Sequence, residues 1–124
     1  MKVVKRGRLM LVVVGTMAVF GSPAFAQTTP AAAPTAATVK RGQQVYTAQK
    51  CATCHQIAGK GNKANPLDKI GAKLSTADIK AWIVDPVAMA KKANSTKKPP
   101  MAAKYAKLPA KDIDSLVAYM ASLK

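Results

Sequence analysis

Apolar positions between residues 39 and 124 recur at helical rather than alternating spacing, and the clearest run is the last. From Pro109 to Leu123, the side chains of Ile113, Leu116, Val117, Met120 and Leu123 form a stripe. Asp112 and Asp114 sit in the first two turns, where the helix dipole favours acids, and Pro109 suits a first helical position. A second helix is predicted from Val39 to about Lys50, with Val39, Gly42, Tyr46 and Gln49 on one side and Lys40, Arg41 and Thr47 away from it. A glycine inside a helix costs about 1 kcal/mol against alanine, so Gly42 signals close approach by another segment. The last helix is predicted to cross there, joining Gly42, Tyr46 and Tyr119. Between these two, Ser75-Thr76-Ala77-Asp78 reads as an N-cap with an acid at N3. It opens a helix through Ile79, Trp82 and Ile83 that ends before Pro86. Asp85-Pro86 then starts a short piece to about Lys92. No strand pattern appears, so the expected fold is all-α, with about four short helices.

The first part of the chain has another character. Lys2, Lys5, Arg6 and Arg8 precede an apolar run from Leu9 to Phe20, and Ala24-Phe25-Ala26 supplies small residues around a cleavage point. Residues 1–26 therefore read as a secretory signal peptide cleaved after Ala26. The competing reading is an uncleaved anchor, but a membrane span needs about 20 apolar residues and this run is shorter. No cysteine lies near the cleavage point, which excludes lipid attachment there. Residues 27–38 are Ala, Thr, Pro and one Gln, without charge or large apolar groups. They are expected to form a disordered tether reaching about 35 Å when extended. Residues 39–124 are then one small domain.

Charge narrows the partners. The chain has 20 Lys and Arg against 5 acids, and four of the bases lie in the leader, so sixteen bases face five acids and the mature chain carries +11. Nucleic acid is the reflex partner for such a charge. An exported protein rarely meets it, and only four aromatics and no nucleic-acid motif survive cleavage. An acidic protein surface or an anionic membrane is the better match. Uniform charge speeds encounter with an oppositely charged site, at the cost of salt sensitivity, and it also keeps a small protein soluble.

The chemistry is concentrated in Cys51-Ala52-Thr53-Cys54-His55. Both cysteines and the one histidine of the chain fall within five positions, at the C-x-x-C-H spacing of covalent c-type haem attachment: both thiols add to the porphyrin edge, and His55 ligates the iron. A zinc site would need a fourth ligand from five Asp. A thioredoxin-type dithiol would sit between a strand and a helix, and a plain disulfide would not need His55. A thin core, with four aromatics and many alanines, also favours a bulky apolar prosthetic group, without which the chain should fold poorly.

With these residues the sequence resembles the class I monohaem cytochromes c over about Val39 to Lys124. The likeness rests on the helix entering the haem motif, Pro66-Leu67, Pro99-Pro100-Met101 and the last helix with Leu116-Val117-Ala118-Tyr119. Asn65 departs from the glycine more usual before this proline. The resemblance implies one covalently attached haem c wrapped by the helices, export to the periplasm, where thioether formation takes place, and Met101 as sixth iron ligand. It also implies that the Pro66 carbonyl holds the second ring nitrogen of His55.

Read from the residues, the sixth ligand has three methionine candidates. Met120 belongs to the apolar stripe, Met89 follows Pro86 in the short helix, and Met101 follows two prolines that stiffen an extended loop. An open or lysine-bound site is the remaining possibility. Leu67 and Ile70 are expected haem-wall residues. Trp82 is either a propionate donor through its indole or plain core, and Tyr105 beside the Met101 loop is equally open. Lys50, Lys60 and Lys63 flank the thiols, and Lys97, Lys98 and Lys104 flank Met101, so a lysine-rich haem edge that docks acidic redox proteins is expected. The leading function is a monomeric periplasmic one-electron carrier, not an enzyme and without stable membrane insertion. Its rivals are the haem subunit of a periplasmic dehydrogenase complex and a ligand-binding sensor or haem enzyme. The last is disfavoured because the chain has no Glu and no second His to act as a distal acid or base.

Overall fold

Helix α1 (Ala36–Ala48) begins three residues before the predicted Val39, because Thr35 caps it. The Thr35 backbone is extended at φ −74°, and its Oγ1 accepts the Thr38 N–H at 3.2 Å. The added turn is alanine-rich, a composition with helix propensity but no periodicity to read. The computed structural model describes residues 33–124, so the leader over 1–26 and the first half of the tether, 27–32, lie outside the described residues, while 36–38, expected as disordered tether, are the first turn of α1.

After α1 the chain takes a left-handed step at Lys50 (φ 55°) into a 3-10 turn over Cys51–Thr53. A small hairpin follows and corrects the expectation of no strands. β1 (Gln56–Ile57) pairs antiparallel with β2 (Lys60–Gly61), with Gln56 opposite Gly61 and Ile57 opposite Lys60. Ala58 and Gly59 both have positive φ, 50° and 77°, which is the backbone of a two-residue hairpin turn. Ala58 tolerates that conformation because its N–H is held by Asp68 Oδ1 at 2.8 Å. Two-residue strands are too short to leave an alternation in the sequence.

Helix α2 (Ile70–Lys73) is a single turn that the periodicity does not reveal. Helix α3 (Thr76–Val84) carries the expected cap: Ser75 Oγ accepts the Asp78 N–H at 3.1 Å and donates to Asp78 Oδ2 at 2.6 Å. It stops at Asp85, whose carboxylate caps α4 (Pro86–Lys92) through the Ala88 N–H at 3.0 Å, with Pro86 buried at the first helical position. A long loop leads to a second 3-10 turn over Ala103–Lys107. The chain ends in α5 (Ala110–Ser122), where Pro109 is the N-cap and not the first helical residue.

The apolar stripe of α5 lies across α1 and α3, and Tyr46, Ile79, Ile83, Ile113, Leu116, Val117 and Met120 form one buried cluster. The crossing with α1 is as close as Gly42 predicts. A Cβ built there would overlap the Ser115 carbonyl oxygen and lie 2.6 Å from Tyr119 Cβ. Just beside it, the Tyr46 and Tyr119 rings meet edge to face, with centroids 5.9 Å apart at 70°. Arg41 closes the outer rim of the crossing with Asp112 at 2.6 Å. Ser115 is 2 % exposed within this apolar surface and stays satisfied by donating to the Lys111 carbonyl at 2.7 Å.

Candidate functional site

The end of α1 delivers the chain directly into the two thiols. Cys51 is half buried and packs against the core cluster; Cys54, on the same short turn, is exposed, and both are free. Burial pushes the Cys51 thiol above its ordinary value, with nearby Lys104 pulling the other way. His55 follows on the inner side, half buried.

The imidazole is held by a backbone carbonyl, as the resemblance implies, but by a different one. His55 Nδ1 lies 3.2 Å from the carbonyl oxygen of Asn65, one residue before Pro66. The local pairing explains the difference. Gln56 and Pro66 form a parallel bridge in which the Gln56 N–H donates to the Asn65 carbonyl at 3.3 Å and the Leu67 N–H donates to the Gln56 carbonyl at 2.8 Å. That register turns the Asn65 carbonyl toward residues 55 and 56. A carbonyl can only accept, so the ring proton is on Nδ1 and Nε2 keeps its lone pair. Burial also pushes the imidazole below its ordinary value, against the opposing effect of the Asn65 bond, and this keeps the ring in the neutral form a metal requires.

Every carbonyl of the Cys51–His55 turn has a partner. Cys51 O accepts the N–H groups of Cys54 and His55, at 3.1 and 3.0 Å. Ala52 O and His55 O share the Asn62 N–H, at 3.1 and 3.2 Å, and the Tyr46 hydroxyl donates to His55 O at 3.4 Å. Thr53 O receives Asn62 Nδ2 at 3.2 Å, and Cys54 O receives Asn65 Nδ2 at 3.4 Å. The return of the hairpin over the turn depends on Gly61. At φ 101° it occupies a region that side chains disfavour, and a Cβ there would overlap the His55 carbonyl oxygen. Sequence reasoning did not single out Gly61 and Asn62. Their signal is a turn-forming Gly-Asn pair a few residues after a ligand motif, where the chain must fold back on it.

Cys51 shares the surface of the core cluster with other half-buried apolar side chains, among them Ile57, Leu67, Ile70, Leu74, Tyr105 and Leu108. Tyr105 stands close enough to both thiols that their charge, after burial, raises its phenol, and Lys104 Nζ lies 5.2 Å from its ring centroid. Thus Cys51, Cys54 and Tyr105 lie close together beside His55, while Leu67 is joined to Gln56 by its backbone N–H at 2.8 Å and Ile70 to Leu67 at 3.1 Å, both packing against the core cluster. Pro66 is exposed and contributes through the bridge to Gln56. Trp82 on α3 is half buried outside the core cluster. Met101 is half buried in the loop immediately before the 3-10 turn of Lys104 and Tyr105; Met89 is half buried on α4, and Met120 is in the core. Lys97 reaches across to the other loop, its Nζ donating to the Ala64 carbonyl at 3.1 Å.

The donor set suits a c-type haem. Two reduced thiols share one turn, a neutral imidazole has Nε2 uncommitted, and Cys51 packs with half-buried apolar side chains against the core cluster. Among the described residues no three His, Cys, Asp or Glu side chains group as metal ligands, which removes the partners a closed zinc site would need. Residues 39–124 match the family model described as cytochrome c. The chain is also 30% identical over 100 residues to the cytochrome c oxidase subunit 2 of Alkalihalophilus pseudofirmus; the match covers 73% of this chain and 27% of that protein. The chain thus spans about a quarter of the length of this curated relative. No solved structure matches it.

Proposed function

Because the chain belongs to the cytochrome c family, whose chemistry is electron transfer through a covalently attached haem c, we propose that it is a periplasmic one-electron carrier with His55 and Met101 as axial ligands. The observation that carries the reading is the setting of His55: a half-buried ring with Nδ1 committed to the Asn65 carbonyl and Nε2 free, beside two thiols on one turn. When bound, the haem supplies an iron that takes up and gives up one electron. The chain's residues do the rest. Cys51 and Cys54 would hold it through their thiols, His55 would ligate the iron through Nε2, and Leu67, Ile70, Leu74 and Leu108 would help keep water from it.

Met101 is the favoured sixth ligand because it is half buried and leads directly into the turn whose Lys104 and Tyr105 face the thiols, whereas Met120 is committed to the core. A soft thioether favours the ferrous state and raises the potential relative to harder ligands. With both positions filled, electrons pass and substrates do not bind. Trp82, half buried and outside the core cluster, stays open between a propionate donor and plain packing. The leader-like residues 1–26 and the extracytoplasmic habit of the family support the periplasmic assignment.

For docking, Lys50, Lys60, Lys63, Lys97, Lys98 and Lys104 are all exposed, and the Lys97–Ala64 bond draws the two lysine-bearing loops together. Each of the five acids is engaged elsewhere. Asp78 accepts from the Ser75 hydroxyl, Asp85 caps α4, Asp112 and Asp114 pair with Arg41 and Lys80, and Asp68 holds the Ala58 N–H. The partner is accordingly an acidic redox protein. The likeness to an oxidase subunit favours a second arrangement, in which a domain of this kind serves a terminal oxidase within a stable complex, as a dehydrogenase haem subunit would serve its enzyme. Co-purification in a complex distinguishes either from a free carrier.

The test is the absorption spectrum of the reduced protein with and without carbon monoxide, beside Met101→Ala. A low-spin wild type indifferent to carbon monoxide, with a variant that binds it, is expected. A wild type that binds carbon monoxide readily would refute the carrier reading and bring the sensor or enzyme reading forward.

A further inference from the structure

The thiol turn is too short to satisfy itself. A 3-10 turn of three residues leaves its last carbonyls without partners in the chain's own helix, and here those of Thr53 and Cys54 are taken by two side-chain amides from the loop that follows the hairpin. Asn62 does most. Its N–H is shared by the Ala52 and His55 carbonyls, its Nδ2 donates to Thr53, and its Oδ1 accepts the Ala64 N–H at 2.9 Å, which fixes the direction in which the carboxamide points. Asn65 adds a weaker bond to Cys54 at 3.4 Å, while its own carbonyl holds His55 Nδ1. The same five-residue loop therefore grips the turn from outside and orients the imidazole from inside.

We propose that Asn62, seconded by Asn65, is a positioning residue for His55: its carboxamide clasps the Cys51–His55 turn to the 61–65 loop and thereby sets the orientation of the imidazole relative to the haem. The proposal rests on haem attachment at Cys51 and Cys54. It differs from a general packing role because Asn62 is exposed and its carboxamide donates to one carbonyl, that of Thr53. Loosening that bond lets the turn move against Asn65, and the Nδ1 bond, at 3.2 Å, is the link through which the motion reaches the ring.

Asn62→Asp separates the two jobs of the side chain. The carboxylate still accepts from Ala64, so the loop keeps its own turn, but the donor to Thr53 is replaced by an acceptor facing an acceptor. Lys63→Gln changes the charge by the same amount at the neighbouring exposed position and keeps the clasp. The readout is the set of hyperfine-shifted haem methyl resonances of the oxidised holoprotein, which follow the orientation of the iron ligands, the histidine ring among them, and do not respond to a change in global stability alone. A shift of these resonances in Asn62→Asp, persisting at high salt and absent from Lys63→Gln, is expected. Unmoved resonances, even with a lowered unfolding midpoint, would reduce Asn62 to structural support and overturn the proposal. If Asn62→Asp does not accumulate, Asn65→Gly withdraws the second clasp and keeps the carbonyl that serves His55; a smaller shift is expected there, and none overturns the proposal. Alkaline pyridine spectra of the wild type check covalent haem separately. A chain without it overturns the function proposed above together with this inference, whereas a haem-bearing wild type with unmoved variants overturns this inference alone.

Discussion

Replacing Gly42 by alanine opposes two effects of known sign. In an exposed helix interior the change would stabilise by about 1 kcal/mol through backbone entropy. Here the new methyl would overlap the Ser115 carbonyl oxygen and sit 2.6 Å from Tyr119 Cβ and 2.7 Å from the Ser115 carbonyl carbon. Two of these neighbours are backbone atoms of α5 and the third is fixed to it, so no rotamer relieves the contact. To bring the overlapping Ser115 oxygen to an ordinary contact of about 3.5–4.0 Å the helices must separate by roughly 1.5–2 Å. That separation loosens the Tyr46–Tyr119 edge contact and the Arg41–Asp112 pair on either side of it. Overpacking of this kind costs about 1–3 kcal/mol and more where backbone must move, so after the propensity gain a net loss of about 2 kcal/mol is expected. For a domain of this size that is roughly 8–16 °C in Tm. Guanidinium unfolding of the haem-loaded protein followed by far-UV circular dichroism measures it, with Gln43→Ala on the exposed face of the same helix as the propensity control. A Gly42→Ala variant as stable as the wild type, or stabilised like the control, would refute the close crossing.

Two further outcomes follow from the surface and from the crossing. The double variant Lys97→Gln/Lys98→Gln is expected to slow electron transfer to an acidic partner severalfold at low ionic strength. The difference should vanish toward about 1 M salt, where the Debye length is about 3 Å; a rate and salt dependence equal to those of the wild type would remove these lysines from the docking face. Burial raises the Tyr119 phenol above its ordinary value of 10.0, so the folded state retains a proton that the unfolded chain gives up. Its contribution to stability is complete below pH 10 and is lost as pH rises beyond it; Tyr119→Phe should flatten this alkaline decline in urea titrations, and an unchanged slope would contradict the assignment.

What the sequence determined by itself was whatever is local or chemically scarce. The cap at Ser75, the break at Asp85-Pro86 and the stripe of α5 are short-range signals, and the structure carries each within a residue or two of its expected place. Two cysteines and one histidine in five positions declared the cofactor without any fold. Gly42 foretold a long-range crossing, because a costly residue in a helix needs a reason elsewhere. Only the tertiary structure decided which carbonyl orients His55, since the register of the Gln56–Pro66 bridge selects Asn65. It also decided that a hairpin of two-residue strands, turned through Ala58 and Gly59, would bring Asn62 back over the thiol turn. Those partners are ten or so residues apart and belong to no periodic element. Their pairing is set by the need to satisfy every carbonyl around an irregular turn, a condition that acts through space and leaves little trace in the order of the residues.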